Sequence, residues 1–276
     1  MSRLLSANFM RLKKSGIFLE CMSFMVGLGV IYPILGYFQN KKGYDVVLDD
    51  GFLVCIMFIG IVLSIFCSLF VGTEYSDGTI RNKIMIGHTR VSIYFANLVV
   101  CAFVSIALCI AFSIPYFCIG IPLLGFFKTK ISYILLFFFC GVILSFAISA
   151  IFIFIIMLNQ NKAIVSVICL LFAFLSMFAG IYINTKLGEP KTYDAYVYLD
   201  ESGNTRTKEL IQNPNYLSGT KREIYEFLND FLPGGQAIQI ADMSSKHPWK
   251  LVLYSSIIMI GVTGAGLFCF QRKDLK

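Results

Sequence analysis

Residues Ile131–Leu158 read ISYILLFFFCGVILSFAISAIFIFIIML, a run without a single charged side chain. A helix needs about 20 apolar residues to cross a hydrocarbon core about 30 Å thick. Because no water reaches that core, the backbone polar groups must bond to one another, which an α-helix achieves within one segment. The stretch therefore predicts a membrane-spanning helix.

Five other long apolar stretches accompany it, and their only charged residues, Glu20 and Lys250, lie near segment ends. They cover residues 17–38, 52–71, 93–124, 163–183 and 249–270. A hydrophobic fraction of 57% and a mean hydropathy of +0.76 exclude an ordinary soluble domain. The sequence predicts an all-α membrane protein with six transmembrane helices, at 17–38, 52–71, 93–124, 131–158, 163–183 and 249–270.

The net charge of +7 could suggest a nucleic-acid partner, but membrane topology explains it better. Arginine and lysine are retained in short cytoplasmic loops. They concentrate in the N-terminal segment and in the other short loops on the same side of the membrane. We therefore expect both termini in the cytoplasm, no nucleic-acid partner, and an extracellular loop at residues 184–248.

The residues before the first span alternate between apolar and basic. Leu5, Phe9 and Leu12 repeat at i, i+4 and i+7, a spacing that favours a short interfacial helix on the inner leaflet. The alternative is a disordered basic tail. The basic residues here are Arg3, Arg11, Lys13 and Lys14.

The connection between the second and third spans, residues 72–90, is the most patterned polar stretch. Asp77 can cap a short helix and Gly87 can end it. Ile80 and Ile84 are four residues apart and share a face, whereas Arg81 points elsewhere. We predict a cytoplasmic helix with an apolar ridge and basic flanks, followed by Thr89 as the cap of the third span.

The long loop carries a strand signal and an amphipathic pattern. Residues 196–199 favour a strand that enters a turn at 200–204. Further on, apolar residues at 224, 227, 228 and 231 predict an amphipathic helix of about 12 residues. Pro233, Gly234 and Gly235 would stop that helix, and a second semi-apolar segment would follow at the outer membrane boundary. Pro248 and Trp249 then begin the last span.

Signatures of catalysis and metal binding are missing. The chain has no phosphate-binding loop of the G-x-x-x-x-G-K-[ST] type. All nine cysteines lie in the apolar spans without zinc spacing, and His88 and His247 would lie on opposite sides of the membrane. We expect no catalytic, cofactor-binding or metal-ligating residue in this chain, and it is not expected to be an enzyme by itself.

Ionisable residues near mid-membrane are also scarce, although transporters coupled to ions usually need them. Glu20 can reach the interface or pair with a basic neighbour such as Arg11. Asn97 can hydrogen-bond between helices. Energy for any uphill transport would therefore come from elsewhere.

One loop resembles a known family. Glu74, the run Gly78-Thr79-Ile80-Arg81-Asn82, Gly87 and the pair Thr89-Arg90 are similar to the corresponding loop of ABC-2 type permeases. These are the transmembrane subunits of bacterial ATP-binding-cassette exporters. The segment Leu232–Gln236, which holds Pro233, Gly234 and Gly235, looks like the outer helix break of this family. The resemblance makes residues 1–276 a single ABC-2 type transmembrane domain.

The resemblance implies a separate nucleotide-binding ATPase subunit, which would hold ATP and Mg. A coupling helix would dock on it, with Ile80 and Ile84 as apolar anchor and Arg81 and Lys83 as complementary charges. A second permease copy or a sister permease would complete a pathway in the bacterial plasma membrane. ATP-driven alternating access would export a peptide, drug or lipid-like substrate. The implied coupling residues are Glu74, Tyr75, Gly78, Thr79, Ile80, Arg81, Asn82, Lys83 and Ile84.

Two other function classes stay open at this point. An ion-coupled secondary transporter or channel would transport without nucleotide as a lone chain. A membrane sensor or immunity protein would bind a peptide through the extracellular loop without moving it.

Overall fold

The computed structural model describes residues 1–193, 196–199, 205–208 and 211–273. Six helices in it are long and apolar enough to cross a membrane, which confirms an all-α, multi-pass membrane protein. They are α2 (Gly16–Lys41), α4 (Cys55–Ser76), α6 (Arg90–Leu124), α7 (Ile131–Leu158), α8 (Lys162–Leu187) and α11 (Pro248–Arg272). Most extend a few residues beyond the predicted apolar stretches, because polar residues at the ends continue the helical hydrogen bonding.

Shorter elements join these spans. The helices are α1 (Ser2–Lys13), α3 (Asp49–Phe52), α5 (Thr79–Met85), α9 (Thr220–Phe231) and α10 (Pro233–Ala241). The strands are β1 (Thr192–Tyr193), β2 (Tyr196–Leu199), β3 (Thr205–Lys208) and β4 (Ile211–Gln212). The pairs β1–β4 and β2–β3 are antiparallel. The predicted strand at 196–199 is confirmed, and the predicted turn at 200–204 lies outside the described residues.

The core lies where α4 and α7 meet the other spans. Within their most apolar windows, 67% of the second span and 61% of α7 are buried, against 22% of α2, 22% of α8 and 17% of α11. The outer faces of these three peripheral helices carry large apolar side chains that remain exposed. Such faces suit a hydrocarbon surrounding, since lipid tails are as apolar as the side chains.

Of the residues predicted to bound α5, those after its C-terminal end are confirmed and the one before its N-terminal end is not. Gly87 has φ 97° just beyond the helix, and Thr89 accepts a hydrogen bond from the Ser92 backbone N–H at the start of α6, as predicted. The prediction that Asp77 caps α5 is wrong. Asp77 ends α4, and Gly78 precedes α5 with φ 67°, because the sharp turn between the two helices needs a left-handed residue.

The predicted helix–break–helix before the last span is present, with the break at Leu232, one residue before Pro233. The extended residue is Leu232, with ψ 136°, whereas Pro233, Gly234 and Gly235 form the first turn of α10. Proline restricts the residue before it to extended conformations and is itself well suited to the first helical position. Every residue of α10 is buried against the bundle.

Candidate functional site

A buried carboxylate lies near the end of α4, next to α5. The side chain of Glu74 is 0% exposed. Its Oε1 accepts hydrogen bonds from Arg11 Nη1 and Lys83 Nζ, each at 2.5 Å. Its Oε2 accepts one from Asn97 Nδ2 at 3.0 Å. The carboxylate thus joins α4 to α1, α5 and α6 at once.

Asn8 closes this arrangement from α1. Its Nδ2 donates to Asn97 Oδ1 at 2.9 Å, and its Oδ1 accepts from Lys83 Nζ at 3.2 Å. Asn8 and Asn97 are both buried. We call the five residues, Asn8, Arg11, Glu74, Lys83 and Asn97, the Glu74 cluster.

The cluster compensates the negative charge of Glu74, whose burial would otherwise be energetically unfavourable. An ionised carboxylate out of water is tolerated only when it is paired and hydrogen-bonded. Arg11 is itself fixed: its Nη2 donates to the Phe70 carbonyl at 3.1 Å, and its guanidinium carbon lies 3.8 Å from the Phe70 ring centroid. Glu20 is exposed, so the interpretation that it pairs with Arg11 is wrong. Arg11 forms its ion pair with Glu74 instead.

The cluster orients α5 with its predicted docking face turned inward. Ile80 is 1% exposed and belongs to the hydrophobic core. Ile84 packs against a small group of buried residues on α1 and α6, and Lys83 faces Glu74. Of the predicted docking residues, Ile80 thus lies in the permease's own core and Lys83 is bound by Glu74, whereas Ile84 stays partly exposed.

Other residues of this segment face outward. Arg81 and Asn82 are exposed. Met85 and Ile86 are 70% and 79% exposed, although both are large and apolar. Together these four residues form an outward surface with an apolar tip and one cation, and we call it the α5 tip. Gly78, with φ 67°, and Thr79 precede it.

Tyr75, the neighbour of Glu74, connects α4 to the end of α7. Its hydroxyl donates to the Met157 carbonyl at the end of α7, at 3.0 Å. Lys273 Nζ donates to the same carbonyl at 3.1 Å, and burial lowers the pKa of Lys273. Arg90 Nη1 donates to the Phe270 and Lys273 carbonyls at 2.8 and 2.6 Å, which ties α6 to the end of α11.

The break between α9 and α10 forms a second close contact. A side chain at Gly234 would collide with the Ser176 carbonyl of α8, and one at Gly180 would collide with the backbone of Gly234. Gln236 accepts a hydrogen bond from the Ser255 hydroxyl at 2.5 Å. The glycines therefore let α10 and α8 touch through their backbones, and Gln236 joins α10 to α11.

A comparison with protein families matches residues 4–179 to the family described as ABC-2 family transporter protein. The match runs from α1 into α8 and includes every member of the Glu74 cluster. The chain belongs to the ABC-2 transporter family. The comparisons with curated proteins and with solved structures give no match.

As an ABC-2 permease, the chain is a transmembrane subunit of a kind that associates with an ATP-binding subunit. The match stops before Gly180, so the Gly180–Gly234 contact, Pro233 and Gly235 lie outside it. Among the residues that the structure describes, no group of three or more histidine, cysteine or acidic side chains could hold a metal ion.

Sequence reasoning on the ABC-2 permease identified Glu74 and Lys83 but missed their pairing with each other and with α1. A signal was present for Asn8: it lies four residues from both Leu4 and Leu12, which are buried, so a polar side chain occupies the apolar face of α1. Asn97 was predicted to bond between helices, and that prediction is confirmed by its two partners.

Proposed function

We propose that this ABC-2 permease is the membrane-spanning subunit of an exporter driven by a separate nucleotide-binding ATPase, and that α5 is the helix that docks on that ATPase. One observation supports this above the others. The α5 tip presents Met85 and Ile86 to solvent while the rest of α5 is fixed to the bundle. A small exposed apolar anchor beside a cation is the composition of a protein-binding hot spot.

The contacts of α5 suggest how motion would spread. Lys83 ties α5 to Glu74, and Glu74 ties α4 to α1 and α6. A displacement of α5 by the ATPase would carry the ends of these helices with it or break the cluster. Either response would give the bundle a second arrangement, and an alternating-access mechanism requires two. ATP and Mg belong to the partner, and this chain is proposed not to be an enzyme by itself.

The remaining parts of the proposal concern assembly and cargo. A second permease copy or a sister permease would pack on the exposed apolar faces of peripheral spans. The termini would lie in the cytoplasm of a bacterial cell, with residues 184–248 outside. A peptide, drug or lipid-like substrate suits a bundle whose described spans bury few charges.

Docking is tested by placing charge on the α5 tip. We expect Met85→Asp combined with Ile86→Asp to reduce co-purification of the ATPase by about 10-fold or more, since hot-spot residues each contribute about 2 kcal/mol. Arg81→Glu should add to the loss by reversing the local charge. The measurement is the amount of ATPase retained on tagged permease, normalised to the folded permease recovered.

Phe126→Asp is the matched control. Phe126 is also 79% exposed, but it lies in the connection between α6 and α7 at the other end of the bundle. Retention of the ATPase by the Met85 and Ile86 variant at the level of this control would overturn the docking assignment. Ile80→Asp is unsuitable, because it would bury a charge in the core of the permease itself.

The orientation of the bundle is tested separately. We expect Arg81→Cys to react with a membrane-impermeant maleimide in inside-out vesicles and not in intact cells. Lys42→Cys, placed after α2 at the opposite end, should react in intact cells and not in inside-out vesicles. Reaction of Arg81→Cys in intact cells would place α5 outside and exclude the proposed ATPase site.

A further inference from the structure

We propose that an anionic phospholipid of the surrounding bilayer binds its headgroup against α1 at Arg11, Lys13 and Lys14, beside the Glu74 cluster. The proposal goes beyond ATPase docking. It requires only that α1 lies at the membrane boundary, so it can fail or succeed independently of the α5 tip.

The first argument is the charge of the Glu74 cluster. Two cations, Arg11 and Lys83, face the single carboxylate of Glu74, which leaves one positive charge without a counterion inside the cluster. The side chain of Arg11 is still 34% exposed. A guanidinium carries five N–H donors in a planar fork that fits phosphate oxygens. The Glu74 and Phe70 contacts use one N–H of each terminal nitrogen and Nε is buried, which leaves one N–H on each terminal nitrogen for a phosphate.

The second argument is the pattern on α1. Its buried face, Leu4, Asn8 and Leu12, packs against the bundle. Phe9 adds an edge contact to Phe103 of α6, with ring centroids 5.2 Å apart. The exposed stripe holds Arg3, Ser6, Ala7, Met10, Lys13 and Lys14. This stripe recurs with helical spacing and contains no acidic residue.

The third argument is the kind of surface that such a stripe fits. Met10 is large, apolar and exposed among the cations, as expected of a helix that lies in the headgroup region with its apolar atoms towards the acyl chains. Each lysine or arginine near an anionic membrane surface contributes about 1 kcal/mol of attraction. A phosphodiester at Arg11 would also supply the negative charge that the cluster lacks. The ligand class is therefore an anionic phospholipid.

The chain offers a clean probe, because Trp249 is its only tryptophan. Trp249→Phe combined with Met10→Trp puts the sole tryptophan on the exposed stripe of α1. The purified full-length permease is placed in mixed vesicles of phosphatidylcholine and phosphatidylglycerol, with bromine on the acyl chains of one lipid or of the other. Quenching of the tryptophan then reports which lipid is enriched around α1.

We expect brominated phosphatidylglycerol to quench the tryptophan about two-fold more than brominated phosphatidylcholine at equal mole fraction. The attraction of a single lysine to the anionic lipid, about 1 kcal/mol, is enough to produce that ratio. Lys13→Gln with Lys14→Gln should remove most of this preference. Lys41→Gln with Lys42→Gln, at the far end of α2, is the matched control and should leave it unchanged. These results together would support the headgroup site.

Three outcomes would overturn the proposal. Equal quenching by the two lipids would show that α1 does not select an anionic headgroup. Loss of the preference in the Lys41 and Lys42 control would assign it to overall charge and not to α1. Its loss on adding inorganic phosphate, but not sodium chloride of the same ionic strength, would identify a site for free phosphate instead of a lipid.

Discussion

Glu74→Gln is expected to destabilise the permease strongly and to loosen α5. The substitution keeps the shape of the side chain but removes the negative charge that Arg11 and Lys83 share. Lys83, whose side chain is 14% exposed, would remain partly buried without a counterion. Removing one partner of a buried ion pair costs about 3–5 kcal/mol, and the partial exposure of Arg11 places the expected loss at the lower end.

Two measurements would register this effect. The melting temperature of the purified permease in detergent should fall, and trypsin should cleave faster after Arg81, which is exposed on α5. Asp77→Asn is the matched control, since Asp77 is an exposed carboxylate three residues away. Surface changes of this kind usually stay within about 0.5 kcal/mol.

A second substitution distinguishes the loss of the Glu74–Lys83 ion pair from general damage to the fold. Lys83→Met added to Glu74→Gln removes the stranded cation, and replacing both partners of a buried pair is often close to neutral. We therefore expect it to recover part of the lost melting temperature. If Glu74→Gln alone unfolded at the temperature of Asp77→Asn, the carboxylate would not be holding α5 in place.

Gly234→Ala is expected to separate α10 from α8. The added methyl group would meet the Ser176 carbonyl at a distance that non-bonded atoms do not adopt. The obstacle is backbone and not the flexible end of a side chain, so either helix would have to move as a unit. Overpacking of a well-packed interior costs about 1–3 kcal/mol, and we expect at least the upper end of that range.

The measurement is again the melting temperature in detergent, together with the yield of folded protein. Gly264→Ala in α11 is the matched control, because nothing lies within 4 Å of the position that its methyl group would take. Alanine favours helix by about 1 kcal/mol over glycine, so the control should be neutral or slightly more stable. Equal behaviour of the two variants would contradict the proposed backbone contact.

Much of the architecture could be predicted because a bilayer leaves few choices. Each long apolar run had to be a helix, and all six spans are confirmed. Sequence patterns also predicted local structure correctly where a few adjacent residues determine it. Thr89 caps α6, Gly87 follows α5, and residues 196–199 form a strand. Membership of the ABC-2 family followed from a short motif and is confirmed by the match.

The candidate site could be predicted only in part. Helical spacing correctly put Ile80 and Ile84 on one face of α5, but spacing cannot say which side of the helix the bundle covers. The same holds for the break between α9 and α10. The sequence indicates a break near Pro233, Gly234 and Gly235, but only the packed structure shows that Gly234 touches the backbone of α8 and that Gly235 touches that of α9.

The sequence by itself determined that this chain spans a membrane six times, because hydrophobicity and backbone hydrogen bonding are properties of each segment alone. Only the tertiary structure decided that Glu74 binds Arg11 and Lys83, that Ile80 lies inside, and that Met85 and Ile86 form the exposed tip. The reason is that pairing and burial depend on which helices meet. Residues 63 positions apart, such as Arg11 and Glu74, are brought together by packing of the whole bundle.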